Sequence, residues 1–76
     1  MAKRRRNEKL VEAVGQRLRE LRLAKGLSQD VVYIDTDVHI ARVEMGRYNV
    51  TISTLSDLCD YYGVTLEEFF KGMKTH

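Results

Sequence analysis

Three glycines close three amphipathic stretches: Gly26 after "EKLVEAVGQRLRELRLAK", Gly46 after "HIARVEM" and Gly63 after "TISTLSDLCDYY". Glycine enters the left-handed conformation that terminates a helix without steric cost, so the chain reads as helix, stop, helix, stop. In the first stretch Leu10, Val14, Leu18 and Leu21 recur at helical spacing, with Val11 and Ala24 widening the same stripe. Ile40 and Val43 give a narrower apolar face before Gly46, and Ile52, Leu55, Leu58, Cys59 and Tyr62 share one side before Gly63. No segment alternates convincingly with period two and there is no proline, so the pattern predicts an all-α fold.

The helix starts carry their own signals. Ser28 stands where an N-cap belongs, with Asp30 well placed against the positive end of the dipole, and a short second helix starts there. The polar "DTD" at 35–37 is expected to turn the chain into the third helix. Thr51 or Ser53 caps a fourth helix after the loop "GRYNV". Thr65-Leu66-Glu67-Glu68 is a capping box opening a fifth helix that is expected to bury Leu66, Phe69 and Phe70. Gly15 lies inside the first helix, where it costs about 1 kcal/mol relative to alanine, and so points to close backbone packing.

With 76 residues, 43% of them hydrophobic, there is room for one core and no second domain. A core of this size supplies only about 3–5 kcal/mol, for which dimerisation is a natural supplement. The lone Cys59 cannot form an internal disulfide and reads as a small buried hydrophobe in a reducing compartment. Glu8, Lys9 and Glu12 interrupt any signal-peptide core behind Lys3-Arg4-Arg5-Arg6, and no apolar run is long enough to span a bilayer. The expected location is cytoplasmic, without membrane contact.

Charge is divided unevenly. Residues 1–25 hold nine Lys/Arg against three Asp/Glu, whereas residues 26–76 hold four against eight. A basic arm and first helix are placed to meet a polyanion; a solvated helix face with a basic tail is the alternative. The expected division is an arm over 1–8, a domain over 9–72 and a tail over 73–76.

Four blocks, "VGQRLRELRLAKGLSQ", "ARVEMGRYN", "TISTLSDLCDYYGV" and "TLEEFF", in this order and spacing, resemble the lambda-repressor/Cro class of helix-turn-helix domains, also called Xre-like. The resemblance covers residues 10–70. It implies a five-helix lambda-repressor-like bundle whose second and third helices form the DNA-reading unit, with the third in the major groove. It also implies double-stranded DNA as partner and a homodimer on two half-sites about one helical turn apart.

Roles follow position by position. Gln29, beside Ser28, matches the glutamine that opens the second helix and contacts phosphate while supporting base-reading side chains. Arg22 and Glu44 match a salt bridge joining the first and third helices, an architectural role. The chain departs from its family in the interval from Ser28-Gln29 to Glu44, which is usually three residues longer. Three residues are nearly one turn, so the apolar seam still closes while length is lost from the second helix or from the first turn of the third.

In the register anchored at Glu44, Asp37, Val38 and Arg42 fall at base-reading positions. Arg42 can take guanine O6 and N7 together, or else pair with Asp35 or Glu44. His39 meets a phosphate or base edge, or simply solvent. Asp37 accepts from cytosine N4 or, the favoured reading, caps the third helix. Arg47, Tyr48 and Asn49 supply the charge, hydroxyl and amide that hold a DNA backbone, and Arg4, Arg5 and Arg6 form an arm for groove or phosphates. Dimer contacts are expected from Phe69, Phe70 and Met73 of the fifth helix or from Tyr61 on the exposed side of the fourth.

The function expected is a sequence-specific transcriptional regulator, a repressor covering its promoter, with no ligand-sensing domain after Phe70. Antitoxins, restriction-modification controllers and mobile-element regulators are equally compatible. The alternative is an interaction module, such as an antitoxin binding a cognate toxin, that has weak or lost DNA binding; Asp30, Asp35 and Asp37 near the reading face favour it. An enzyme is disfavoured, for there is no nucleophile motif or phosphate loop, and two histidines and one cysteine lack metal-ligand spacing, so neither cofactor nor metal is expected.

Overall fold

The computed structural model describes residues 7–73. They form five helices, α1 (Glu8–Ala24), α2 (Gln29–Thr36), α3 (Ile40–Glu44), α4 (Ile52–Tyr62) and α5 (Leu66–Phe70), and no strand occurs among the described residues. Short polar side chains start four of them. Asn7 accepts from the Leu10 amide at 3.1 Å, Ser28 from Val31 at 3.2 Å, Thr51 from Thr54 at 3.0 Å and Thr65 from Glu68 at 3.0 Å. The Glu68 carboxylate accepts from the Thr65 amide at 2.8 Å, completing the capping box. Helix α1 thus begins at Glu8, inside the stretch assigned from sequence to the arm.

The core draws on every helix: Val14 and Leu18 of α1, Val32 of α2, Ile40 and Val43 of α3, four residues of α4, and Phe69 of α5. Gly15 sets how closely α1 and α3 approach. A Cβ there would overlap the Val43 carbonyl oxygen and lie 3.2 Å from that of Glu44. Only glycine lets the two backbones meet, and the contact places the end of α3 against the middle of α1. Arg17 of α1 then reaches the other end of the bundle, donating to the Phe69 carbonyl at 2.5 Å and the Lys71 carbonyl at 3.4 Å. These are terminal carbonyls of α5 that the short helix cannot satisfy itself.

Several expectations are corrected. The "DTD" segment does not turn as a unit: Asp35 and Thr36 stay helical because the Thr36 hydroxyl donates to the Val32 carbonyl at 2.7 Å while accepting from the Val38 amide at 3.2 Å. The break falls at Asp37, the one non-glycine residue with positive φ among those described (φ 62°). Its amide donates to the Tyr33 carbonyl at 2.8 Å, so Asp37 closes α2 and does not cap α3. Ala24 is exposed, since α1 passes the edge of the core after Leu21. Ile52 is 79% exposed, because it is the first residue of α4 and lies at the rim of the core, where nothing packs over it. In α5 only Phe69 is buried; Leu66 and Phe70 each keep 37% of their surface, as a five-residue helix turns one narrow face inward. Met73, assigned to the tail, packs half-buried against the core.

Tyr62 has a distinct place in this core. It is 1% exposed, its hydroxyl has no protein hydrogen-bond partner, and burial together with the Glu44 charge pushes its pKa up to about 12. A tyrosine that ionises near 10 when unfolded and near 12 when folded adds stability in full below pH 10, and that contribution is lost as pH rises through 12. Equilibrium urea unfolding is expected to show a loss on the order of 2 kcal/mol across this window. Tyr62→Phe should abolish that component and leave neutral-pH stability unchanged or about 1 kcal/mol higher. An alkaline loss of equal size in Tyr62→Phe would refute the assignment.

Candidate nucleic-acid interface

A buried polar network joins the two helices of the motif to α1. The Glu44 carboxylate accepts from Arg22 Nε at 2.6 Å, from Arg22 Nη2 at 2.9 Å and from Gln29 Nε2 at 3.0 Å. Arg22 Nη1 donates to the Leu27 carbonyl at 2.8 Å, in the loop between α1 and α2. Side chains of both ions are nearly inaccessible, 8% for Arg22 and 2% for Glu44. The bidentate geometry holds the guanidinium firmly charged, the hydrogen bond to Glu44 outweighing desolvation and raising its pKa. Four segments are therefore tied together: Glu44 at the end of α3 holds the end of α1 through Arg22 and the start of α2 through Gln29, and Arg22 holds the loop after α1 through the Leu27 carbonyl. Gln29 commits an amide N–H to this network, and Ser28 spends its hydroxyl on the α2 cap.

Of the two helices of the motif, α3 is the shorter. Helix α2 retains eight residues, whereas α3 has five, about 7.5 Å of axis. Ile40 and Val43 face the core, leaving Arg42 exposed on α3, Met45 exposed just after it and Ala41 half-exposed. His39 precedes the helix as its N-cap residue and makes no side-chain capping bond. Its imidazole instead packs on the Tyr33 ring of α2, with centroids 4.7 Å apart and planes tilted by 30°.

Two clefts, each of about 230 Å3, flank these side chains. One is walled by Gln29, Asp30 and Tyr33 of α2, the other by Asp37, Val38, Tyr48 and Thr54. His39 and Arg42 line both and so form the ridge between them. The carboxylates considered as partners for Arg42 are otherwise engaged, Glu44 by Arg22 and Asp35 by the Tyr61 hydroxyl, which donates to it at 2.6 Å. Beyond α3, Arg47, Tyr48 and Asn49 are all exposed in the loop to α4, next to the same ridge through Tyr48.

Other expected residues are placed differently. Tyr61 is half-buried and tied to Asp35, a bond that raises its pKa, because α4 packs its flank toward α2 and not toward solvent. Phe69 is buried within the chain's own core, 1% exposed. Phe70 remains accessible, sharing with Ile52, Leu10 and Tyr48 an apolar cleft of about 170 Å3. Lys3, Arg4, Arg5 and Arg6 lie outside the described residues. Cys59 is buried, and burial pushes its thiol pKa up, away from reactivity. No helix is long and apolar enough to cross a membrane, and no group of three His, Cys, Asp or Glu among the described residues is arranged to hold a metal ion.

Tyr33 was not anticipated. It stands one turn after Gln29 on the same side of α2, a signal present in the sequence, but its partner His39 enters reach only through the turn at Asp37.

Comparison with curated proteins and with solved structures gave no match. The family models are informative: the helix-turn-helix domain matches residues 13–69, about three quarters of the chain, from the middle of α1 to Phe69 of α5. A match of that extent takes in the Arg22–Glu44–Gln29 network, the ridge beside it and the helices that hold both, and this chain belongs to the helix-turn-helix family of Cro/C1/Xre-like DNA-binding domains.

Proposed function

We propose that this protein is a sequence-specific transcriptional regulator, a repressor that covers its promoter as a homodimer on an inverted repeat. The observation that carries this reading is the exposed His39–Arg42 ridge, anchored by a buried ion pair within a DNA-binding family fold. Arg42 reads guanine through its planar fork and Val38 offers an apolar contact for a thymine methyl. Ser28 and Gln29 approach one phosphate strand at the start of α2, and Arg47, Tyr48 and Asn49 approach the backbone on the other side. Asp37 supplies the turn that sets the ridge and is not itself a reader. The dimer is proposed through the α5 side, where Phe70 and Ile52 stand accessible and Met73 packs at the edge. A monomeric mass at high micromolar concentration would remove the dimer from this reading.

A second reading has its own support. Ile34 is 77% exposed on α2 beside exposed Val31, between Asp30 and Asp35, an acid-flanked apolar strip of the kind that binds protein. It makes the chain an antitoxin-like partner-binding module.

Selection from random duplexes at near-physiological salt separates the two. An enriched inverted repeat, bound with affinity that falls steeply with salt, supports the regulator. Absence of enrichment and a flat salt response would support the partner-binding module. Within the first outcome, Arg42→Ala is expected to lower discrimination at one base pair by roughly 5- to 100-fold. Arg47→Ala is expected to weaken all sequences alike and to reduce the salt slope by about 1. Identical behaviour of both variants and parent would overturn the assignment of these residues.

A further inference from the structure

We propose that Tyr33 is a specificity-determining residue of this interface, acting by its ring contact with His39, so that His39 and Arg42 together read two adjacent base pairs. The inference rests on the DNA-reading function proposed above and concerns the same ridge.

A helix of five residues offers few outward side chains, and here Arg42 alone is exposed on α3, with Met45 exposed just after it. Base recognition by hydrogen bonds therefore has one residue on the helix proper. His39 lies three positions before Arg42, and i and i+3 are neighbours along a helical face. It belongs, however, to the connection before the helix, where backbone angles of φ −74° and ψ 74° leave it outside the helical ladder. An imidazole on such a segment samples several rotamers unless something restrains it.

Tyr33 supplies the restraint. Its ring, 4.7 Å from the imidazole centroid, forms a wall of the cleft on the α2 side, and at 42% exposure it remains accessible at the rim. Ring packing of this kind contributes both contact area and orientation. Neither imidazole nitrogen is used to cap α3, so both ring nitrogens remain for a base edge. Tyr33 is anchored in turn, since its carbonyl accepts from the Asp37 amide at the break between the helices. The stack thus replaces, with one aromatic pair, the rigidity that a longer α3 would have given its first turn.

A guanine presents N7 and O6 as acceptors, an adenine N7 with an N6 donor, a thymine the O4 acceptor and a cytosine an N4 donor, so an imidazole held at a fixed depth and angle in the major groove favours the base pair whose edge meets it. The expected signature is a two-base-pair core in each half-site, one pair read by Arg42 and its neighbour by His39.

The test compares parent protein, Tyr33→Phe, Tyr33→Ala, His39→Ala and the Tyr33→Ala/His39→Ala double variant in selections on duplexes randomised across the half-site, with circular dichroism melts of each. Tyr33→Phe keeps the ring and should retain the parent profile. Tyr33→Ala and His39→Ala should lose discrimination at the same base pair, next to that of Arg42, by at least about five-fold. The double variant should lose no more than His39→Ala alone, because Tyr33 works through His39. The Arg42 position and the salt slope should be unchanged. Uniform weakening across all sequences in Tyr33→Ala, or losses at different base pairs in the two single variants, would overturn the proposal while leaving DNA reading intact. No base preference in the parent would overturn both.

Discussion

Replacing Glu44 by alanine is expected to lower the free energy of unfolding by about 3–5 kcal/mol, the range observed when one member of a buried ion pair is removed. A domain of this size has only a few kcal/mol in total, so most of the population should unfold at 25 °C. The cause is not the lost attraction alone. The Arg22 side chain, 8% exposed, would be left charged between α1 and α3 with only the Leu27 carbonyl as acceptor, and the Gln29 amide would lose its partner as well. Glu44→Gln retains acceptor and shape and should cost less. Arg22→Met combined with Glu44→Leu should also cost less than Glu44→Ala, since it leaves neither charge behind. Urea titrations followed by circular dichroism decide the matter. If Glu44→Ala were as stable as the parent, the network would have no architectural weight and the placement of α3 would need another explanation, with the Gly15 contact first in line.

Deleting residues 2–6 is expected to have the largest effect on DNA affinity. The described body, residues 7–73, carries eight Lys/Arg against eleven Asp/Glu, so the chain owes its positive balance to Lys3, Arg4, Arg5, Arg6 and Lys74. A body with net negative charge gains little from counterion release beyond a few local cations. If all four arm cations meet phosphates, their removal lowers the slope of log K against log salt by up to about 3.6 and weakens binding by roughly 10- to 1000-fold at physiological salt. Base preference should stay the same, because the ridge is intact. Fluorescence anisotropy over a salt series measures both quantities. A truncated protein with the parent's slope would show that the arm takes no part, and the balance of the α2 acidic strip against the ridge would then favour a protein partner.

Much of this organisation is readable without coordinates, for reasons that differ by element. Caps at Ser28, Thr51 and Thr65 and stops at Gly26, Gly46 and Gly63 depend on backbone groups within a few residues, and all appear in the fold. The faces of α1 and α4 follow from spacing because both helices are long enough to have a defined buried side. Periodicity loses its meaning at the edges. Ile52, Leu66 and Phe70 have the right composition and spacing for a core and remain accessible, because whether a terminal turn is covered depends on what packs over it.

The site divides in the same way. Arg42, Tyr48 and Asn49 stand exposed at positions that the resemblance to the family marked, whereas Tyr61 and Phe69 have structural places that no local rule announces. Sequence alone determined the helical class, the order of five elements and the location of the motif, since caps, stops and apolar stripes act over distances of one or two turns. Tertiary structure decided that Glu44 binds Arg22 and Gln29 at once and that His39 rests on Tyr33. Both join groups that are apart in the chain: the close approach of α1 and α3 at Gly15, which belongs to the packed whole and to no single segment, sets the first, and the left-handed turn at Asp37 carries His39 back to the α2 side for the second.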